Sequence, residues 1–319
     1  MQRLEDTSTP LGMGMAILGY SLGSSLLMFI NKNAIEHLPA PFLVAFIQLF
    51  LSTMIILVVK SLGVSVDALE WDKLKAYTWF VLVYVAGMYA NIQALATSNV
   101  ETLIMFRACS PIAVGMVEYL FMDRAWLTLR SSFALVCVAL GGVILYYQTA
   151  YQPALEYKWS IIYFMLITVE MVYGKKLASS VKMETVLGPV LYCNLLGSFL
   201  LFCVGYLSGD YVDEDIQMKL KDLTLHGVMI LLVSSVVMTL FGYVGWLCRG
   251  MVSATSFTLL GVVNKFLVMV LNVILWDQHS SSTGLFAACL CLLIGTCCYQ
   301  QAPRQLGHKL DIGNSLLTN

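Results

Sequence analysis

A lysine and an amide stand side by side in Gly261-Val262-Val263-Asn264-Lys265, inside a run that is otherwise apolar from Met251 to Trp276. A charged side chain at mid-bilayer costs about 2.5–3.5 kcal/mol, so it is kept where it faces a wet cavity or a counter-charge. An anionic ligand would supply that counter-charge. The alternatives are that Lys265 snorkels to a headgroup or pairs with an intramembrane glutamate. Phe257, Gly261, Asn264 and Lys265 fall at i, i+4, i+7 and i+8, hence on one face of a helix. Gly261 leaves room for a flat ring and Phe257 offers either a stacking surface or ordinary packing. Asn264 can donate and accept across a base edge, and Lys265 can neutralise a phosphate or bond a base carbonyl.

A second basic residue, Arg107, lies one helical turn before Pro111 in another apolar run. Pro111 frees a backbone carbonyl and is expected to bend that span. Two basic residues within spans suit a ligand with several negative charges, with two structural ion pairs as the alternative. The other polar residues in apolar runs are Asn91, Gln93, Glu118, Glu170, Tyr192, Asn194 and Asn272. Glu118 is expected to pair with Arg124, whereas Glu170 could be protonated, paired with a lysine, or bridged to substrate.

Catalytic patterns do not emerge. His37, His226, His279 and His308 fall in loops or at the ends of runs, none with metalloprotease spacing, and there is no Gly-x-Ser-x-Gly elbow or Walker lysine loop. The expectation is a protein that is neither an enzyme nor an ATP-driven pump and needs no cofactor. The nine cysteines sit in apolar runs, where they read as small hydrophobes rather than a disulfide framework or a metal site.

The elements that must position these residues follow from composition. Of 319 residues, 59% are hydrophobic and 12% charged, about half the charge of a soluble domain. Runs bounded by charge or proline predict ten helices, at about 11–31, 40–60, 76–95, 100–122, 130–148, 157–178, 185–208, 225–248, 252–276 and 283–301. The chain reads as an all-α polytopic membrane protein with the lipid bilayer as its solvent, a tail over residues 1–10, a transporter domain over 11–301 and a second tail over 302–319. Residues 1–10 resemble neither a transit peptide nor a cleavable signal. A net charge of −1 gives no nucleic-acid footprint. Twelve Lys and Arg fall in one set of alternate connections and four in the other, which places both termini in the cytosol and the acidic loop 209–222 on the opposite side as a plain solvated connection.

Ten spans divide into two sets of five. A shift of 154 residues sets Asp123 on Asp277, Gly141 on Gly295, and Ser110-Pro111 on Asn264-Lys265. Two halves of five spans must lie in the membrane with opposite topology, the inverted-repeat plan of many secondary transporters, with repeat one at about 11–148 and repeat two at about 157–301. Gly19, Gly23, Gly141, Gly142, Gly242 and Gly245 read as sites of close helix packing.

The ninth-span stretch Gly261-Val262-Val263-Asn264-Lys265 resembles the Gly-Ala-Leu-Asn-Lys motif of fungal and plant GDP-sugar transporters, of the drug/metabolite transporter superfamily, and Leu191-Tyr192-Cys193-Asn194 resembles their Phe-Tyr-Asn-Asn motif. Val100 to Arg107, Ser253 to Phe257, Trp276 to His279 and Tyr299 to Gln301 are also similar to plant members. The resemblance implies a Golgi antiporter that takes in a GDP-sugar, of GDP-mannose or GDP-fucose type, and releases GMP by alternating access, with a second copy of the chain as a candidate partner. It implies that Gly261, Asn264 and Lys265 hold the nucleotide, Arg107 the diphosphate, and Tyr192 and Asn194 the ribose and sugar. Leu191 and Cys193 depart from the second motif, which leaves the sugar open. The alternatives are a phosphorylated-sugar or organic-phosphate translocator of the same superfamily, a non-transporting membrane receptor or scaffold, and an intramembrane enzyme using Glu170.

Overall fold

The computed structural model describes residues 10–98, 100–122, 124–149, 157–209, 211, 213–276 and 282–301. Among them are eleven helices and no strand: α1 (Pro10–His37), α2 (Pro41–Ser61), α3 (Trp71–Thr97), α4 (Val100–Phe121), α5 (Leu129–Thr149), α6 (Lys158–Ser180), α7 (Leu187–Leu207), α8 (Glu214–Lys221), α9 (Leu225–Met251), α10 (Ala254–Trp276) and α11 (Ser282–Cys298). Seven of these, α1 to α5, α7 and α9, are long and apolar enough to cross a membrane, so the chain is a multi-pass membrane protein. Residues 1–9 of the expected first tail, Asp123, Asp210, Asp277, His279, the side chain of Asn272 and the tail 302–319 lie outside the described residues.

Three elements differ from expectation. Helix α3 begins at Trp71 rather than at about 76. Helix α1 continues past Lys32 and Asn33 to His37, because the exposed Lys32 reaches solvent while the buried Ala34 and Leu38 keep the apolar face going. It stops ahead of Pro39, which disfavours helical backbone in the residue before it. The acidic loop is not a plain connection, since it holds α8. Asp213 caps this helix by accepting from the backbone of Asp215 and Ile216, and Lys219 and Lys221 lie in its last turn.

The chain forms two compact units, each drawing on both halves of the sequence: Met1–Gln93 with Met165–Val252, and Ala94–Phe164 with Ser253–Asn319. In the first, α1 packs on α9 and α2 on α7 around Phe42, Leu49, Tyr77, Phe80, Val81, Tyr192 and Leu201. A polar ladder crosses that core: Gln48 on α2 donates to Asn31 on α1 at 2.8 Å and to Ser234 on α9 at 3.0 Å. In a bilayer such bonds satisfy groups that lipid cannot. In the second unit, α5 packs on α11 and α4 on both α5 and α10, around Ile104, Leu135, Val138, Val262, Phe266 and Ala288. Two glycines set the α5–α11 approach: a Cβ on Gly141 would come within 2.9 Å of the Ala288 carbonyl, and one on Gly295 within 2.6 Å of the Ala134 carbonyl. The expected packing role of Gly141 is thus observed.

The start of α7 is held by Asp67, from the α2–α3 connection. Its carboxylate accepts from Glu184 N at 2.9 Å, Thr185 N at 3.0 Å and Thr185 Oγ1 at 2.7 Å, with Lys73 Nζ 3.9 Å away. Gly188 makes the approach feasible, since a Cβ there would collide with the carboxylate. Burial acts to raise the Asp67 pKa, but the donors from Glu184 and Thr185 and the charge of Lys73 outweigh it, so the carboxyl sits below its ordinary value. A lowered folded-state pKa gives stability that is present above the unfolded value of about 3.9 and lost only as pH falls through the lower folded one. Asp67→Asn therefore lowers stability by about 1–3 kcal/mol at pH 7, read as thermal unfolding in detergent. The gap to wild type closes below about pH 4. An equal gap at pH 7 and pH 3.5 contradicts the charged cap.

Candidate ligand site

Helix α10 carries the Asn264-Lys265 pair, and its start is fixed by a second buried carboxylate. Glu118, at the end of α4 and 2% exposed, accepts from Ala254 N at 2.9 Å, Thr255 N at 2.9 Å and Thr255 Oγ1 at 2.6 Å. Arg124 Nε lies 3.2 Å from the same carboxylate, so the expected Glu118–Arg124 pair forms, and it also caps a helix. A negative charge at a helix N-terminus satisfies donors that have no intrahelical partner and complements the macrodipole. Gln301 adds to this end by accepting from Ser253 N and Ser256 Oγ, each at 3.2 Å.

Helix α4 supplies the facing basic residue. Pro111 lacks the N–H that would bond the carbonyl of Arg107 one turn earlier, and Ser110 Oγ takes its place, donating to that carbonyl at 2.6 Å. The helix runs unbroken from Val100 to Phe121 with the proline inside it. From this turn the Arg107 guanidinium donates through Nη1 to the phenol oxygen of Tyr163 on α6. Its Nη2 lies 3.5 Å from where a Cβ on Gly261 would sit, so the guanidinium crosses the face of α10 at the glycine. Arg107 is also near enough to Lys265 for the two charges to act on each other. Arg107, Gly261 and Lys265 therefore meet in one unit.

Like Thr102 Oγ1 on α4, Asn264 is a buried polar group of this unit left without a partner among the described residues. It is 2% exposed, and among the described residues neither its Nδ2 nor its Oδ1 has a hydrogen-bond partner. Leaving both ends of a buried amide unsatisfied costs about 1–3 kcal/mol per group. Phe257 is 3% exposed and buried two turns earlier on α10.

The other two candidates lie in the first unit. Tyr192 is fully buried, stacked on Tyr77 with ring centroids 5.4 Å apart. Its hydroxyl accepts from Glu70 N at 2.8 Å and donates to the Ala68 carbonyl at 2.7 Å. Asn194 Nδ2 donates to Ser52 Oγ at 2.6 Å, and Thr239 Oγ1 donates to the same oxygen at 2.7 Å. Both side chains are thus engaged with their own unit.

Glu170, left open by the sequence, pairs with Arg249 at 3.2 Å. Arg249 lies in the last turn of α9 with its side chain buried between Phe80 and Trp246, at 5.2 and 5.3 Å from their ring centroids. Lys175 Nζ closes the same end by donating to the carbonyls of Arg249 and Gly250 at 2.8 and 2.9 Å. Sequence reasoning missed Tyr163 and Arg249. An arginine at the end of an apolar run can turn inward as readily as outward, and only the aromatic residues at Phe80 and Trp246 hint at which.

No protein-family model matches the chain. It is 32% identical over 307 residues to GDP-fucose transporter 1 of Arabidopsis thaliana, covering 94% of this chain and 88% of that one. To GDP-mannose transporter GONST3 of the same plant it is 31% identical over 292 residues, covering 89% and 77%. A GDP-mannose transporter of Neurospora crassa is 21% identical over 309 residues, covering 89% and 78%. A solved crystal structure at 12% identity matches with a TM-score of 0.67 over 90% of this chain and 96% of that chain, a likeness of fold alone.

The Arg249 geometry gives a sharp expectation. A Cβ on Gly174 would fall inside the Arg249 guanidinium and 2.9 Å from Phe80, so Gly174→Ala evicts Arg249 and leaves Glu170 buried without it. The cost is about 3–5 kcal/mol, as for breaking a buried pair. Gly174→Ala paired with Glu170→Gln and Arg249→Met recovers much of it. Thermal unfolding of the variants measures both, and a Gly174→Ala protein as stable as wild type contradicts the packing.

Proposed function

We propose a function from the premise that this chain belongs to the nucleotide-sugar transporter family, among its GDP-sugar members: it moves a GDP-sugar across the membrane in exchange for GMP, by alternating access. The observation that carries the reading is Asn264, a buried amide with donor and acceptor both unmatched, next in sequence to Lys265 and on the helix that Arg107 crosses. A purine edge presents the donor and acceptor that such an amide lacks. The two cations suit the phosphates, and Gly261 leaves their approach open. A sugar phosphate without a base would leave the amide unmatched, which favours the nucleotide reading over the organic-phosphate one.

Ligand roles follow from this assignment. Gly261, Asn264 and Lys265 take the nucleotide, with Phe257 as the stacking surface and Arg107 at the diphosphate. Tyr192 and Asn194 on α7 are assigned the sugar side; Asn194 keeps its amide donor on Ser52 and has Oδ1 to accept from a hexose hydroxyl. Because both cargoes share one base site, the same groups bind at either membrane face, and bound anion lowers the repulsion between Arg107 and Lys265 that opposes reorientation of the empty carrier.

The architecture in this reading is ten spanning helices in two inverted repeats of five, in the Golgi membrane with both termini cytosolic. The packing within units supports the repeats. Advancing five spans exchanges α4 with α10 and α5 with α11, and α4·α5 and α10·α11 are both packed pairs. The helices that correspond to α1 and α9 in this scheme, α6 and α3, are joined by a hydrogen bond from Tyr173 to the Ala76 carbonyl at 3.3 Å.

Proteoliposomes preloaded with GMP and offered a panel of nucleotide sugars test the function, with uptake expected for GDP-sugars over UDP- and CMP-sugars. Lys265→Ala and Asn264→Ala each weaken GDP-sugar and GMP alike, by about 1.5–3 kcal/mol. Asn194→Ala impairs GDP-sugar uptake beyond GMP self-exchange, by about 1 kcal/mol for the single bond it offers. Normal exchange by Lys265→Ala removes the lysine from the site.

A further inference from the structure

We propose that Tyr163 is a positioning residue of the phosphate site, holding the Arg107 guanidinium across Gly261 without neutralising it; this rests on the reading of Arg107 as a phosphate ligand given above. Tyr163 is 7% exposed, on the first turns of α6, and its phenol oxygen accepts from Arg107 Nη1. An arginine side chain carries about 2 kcal/mol of rotamer entropy, and here its charge also acts against that of Lys265. Both effects drive the guanidinium away from its neighbour. A fixed neutral acceptor opposes that drift without itself taking up the guanidinium's charge.

The contrast with the buried Arg249 sharpens the point. Arg249 is held by the carboxylate of Glu170 at 3.2 Å, an arrangement that cancels charge and serves the packing of its end of the unit. A carboxylate in the place of Tyr163 would hold Arg107 equally well and would compete with phosphate for it. The phenol gives geometry with no competing charge. Tyr163 and Glu170 are seven residues apart on α6, two helical turns, so one helix carries both kinds of arginine acceptor on one side.

The role predicts an effect confined to ligands with phosphate. Guanosine and GDP are compared as competitors of labelled GMP exchange by the full-length protein in proteoliposomes, for wild type, Tyr163→Phe, Arg107→Lys and the double variant. Tyr163→Phe weakens GDP by between about threefold and tenfold, the worth of one ordinary hydrogen bond, and leaves guanosine unchanged. In the Arg107→Lys background, where the guanidinium is gone, Tyr163→Phe adds no further loss for GDP. Thermal unfolding of Tyr163→Phe confirms that the protein is folded when this is read. Equal weakening of guanosine and GDP by Tyr163→Phe, or the same loss in the Arg107→Lys background, overturns the positioning role alone. If Arg107→Lys itself does not separate GDP from guanosine, the phosphate reading of Arg107 falls and takes this proposal with it.

Discussion

A helix that starts within or beside a membrane exposes four N–H groups that lipid cannot satisfy, and buried carboxylates fix the entry to two of the three helices that carry ligand candidates, one capping α10 itself and the other holding the turn ahead of α7. Asp67 holds the turn into α7 and Glu118 the first residues of α10, each through two backbone N–H groups and one threonine hydroxyl. Each carboxylate has its own cation, Lys73 or Arg124. The anchors come from elements distant in sequence, so they fix the register of α7 and α10 within their units. Everything assigned to the site depends on that register, because a slip of one residue turns a helix by about 100 degrees and would move Asn264 and Lys265 off the face that Arg107 crosses.

Within this frame the protein treats its buried polar groups in two ways. Those with a structural task are matched: Gln48 bridges Asn31 and Ser234, Asn194 bonds Ser52, and Glu170 pairs with Arg249. Asn264 is unmatched at both ends of its amide. Among the described residues Tyr77 Oη, Thr102 Oγ1 and Arg249 Nη1 are single unmatched atoms, whereas Asn264 lacks a partner for donor and acceptor together, and a side chain left so marks a place where stability is traded for function. Arg107 belongs to the same region, and its backbone is accommodated at a proline by the serine that takes over the missing hydrogen bond.

The long helices were legible in the sequence because lipid allows little else: an apolar run of about 20 residues has one regular way to satisfy its backbone. The end of α1 was misplaced since Lys32 read as a boundary, whereas one exposed lysine on a helix face does not stop a helix. Gly261, Asn264 and Lys265 were legible as a stripe because α10 keeps helical periodicity through them. What could not be read was the partner of each polar residue. The contacts of Tyr192 with Ala68 and Glu70 span more than 120 positions, and Glu170, the partner of Arg249, is 79 positions away. Tyr163 was invisible for a simpler reason: a tyrosine in an apolar run has many uses, and only the position of Arg107 selects one.

The central claim is that the unmatched amide of Asn264 is kept for the base of the ligand. Replacing it with the near-isosteric Asn264→Leu removes donor and acceptor together, and thermal unfolding of the purified protein with and without GMP reads both consequences in one experiment. The account predicts that without ligand the variant is at least as stable as wild type, since an unsatisfied polar group has been removed, and that the stabilisation GMP gives to wild type is lost. A variant that is several kcal/mol less stable without ligand, or one that GMP stabilises as much as wild type, would contradict it.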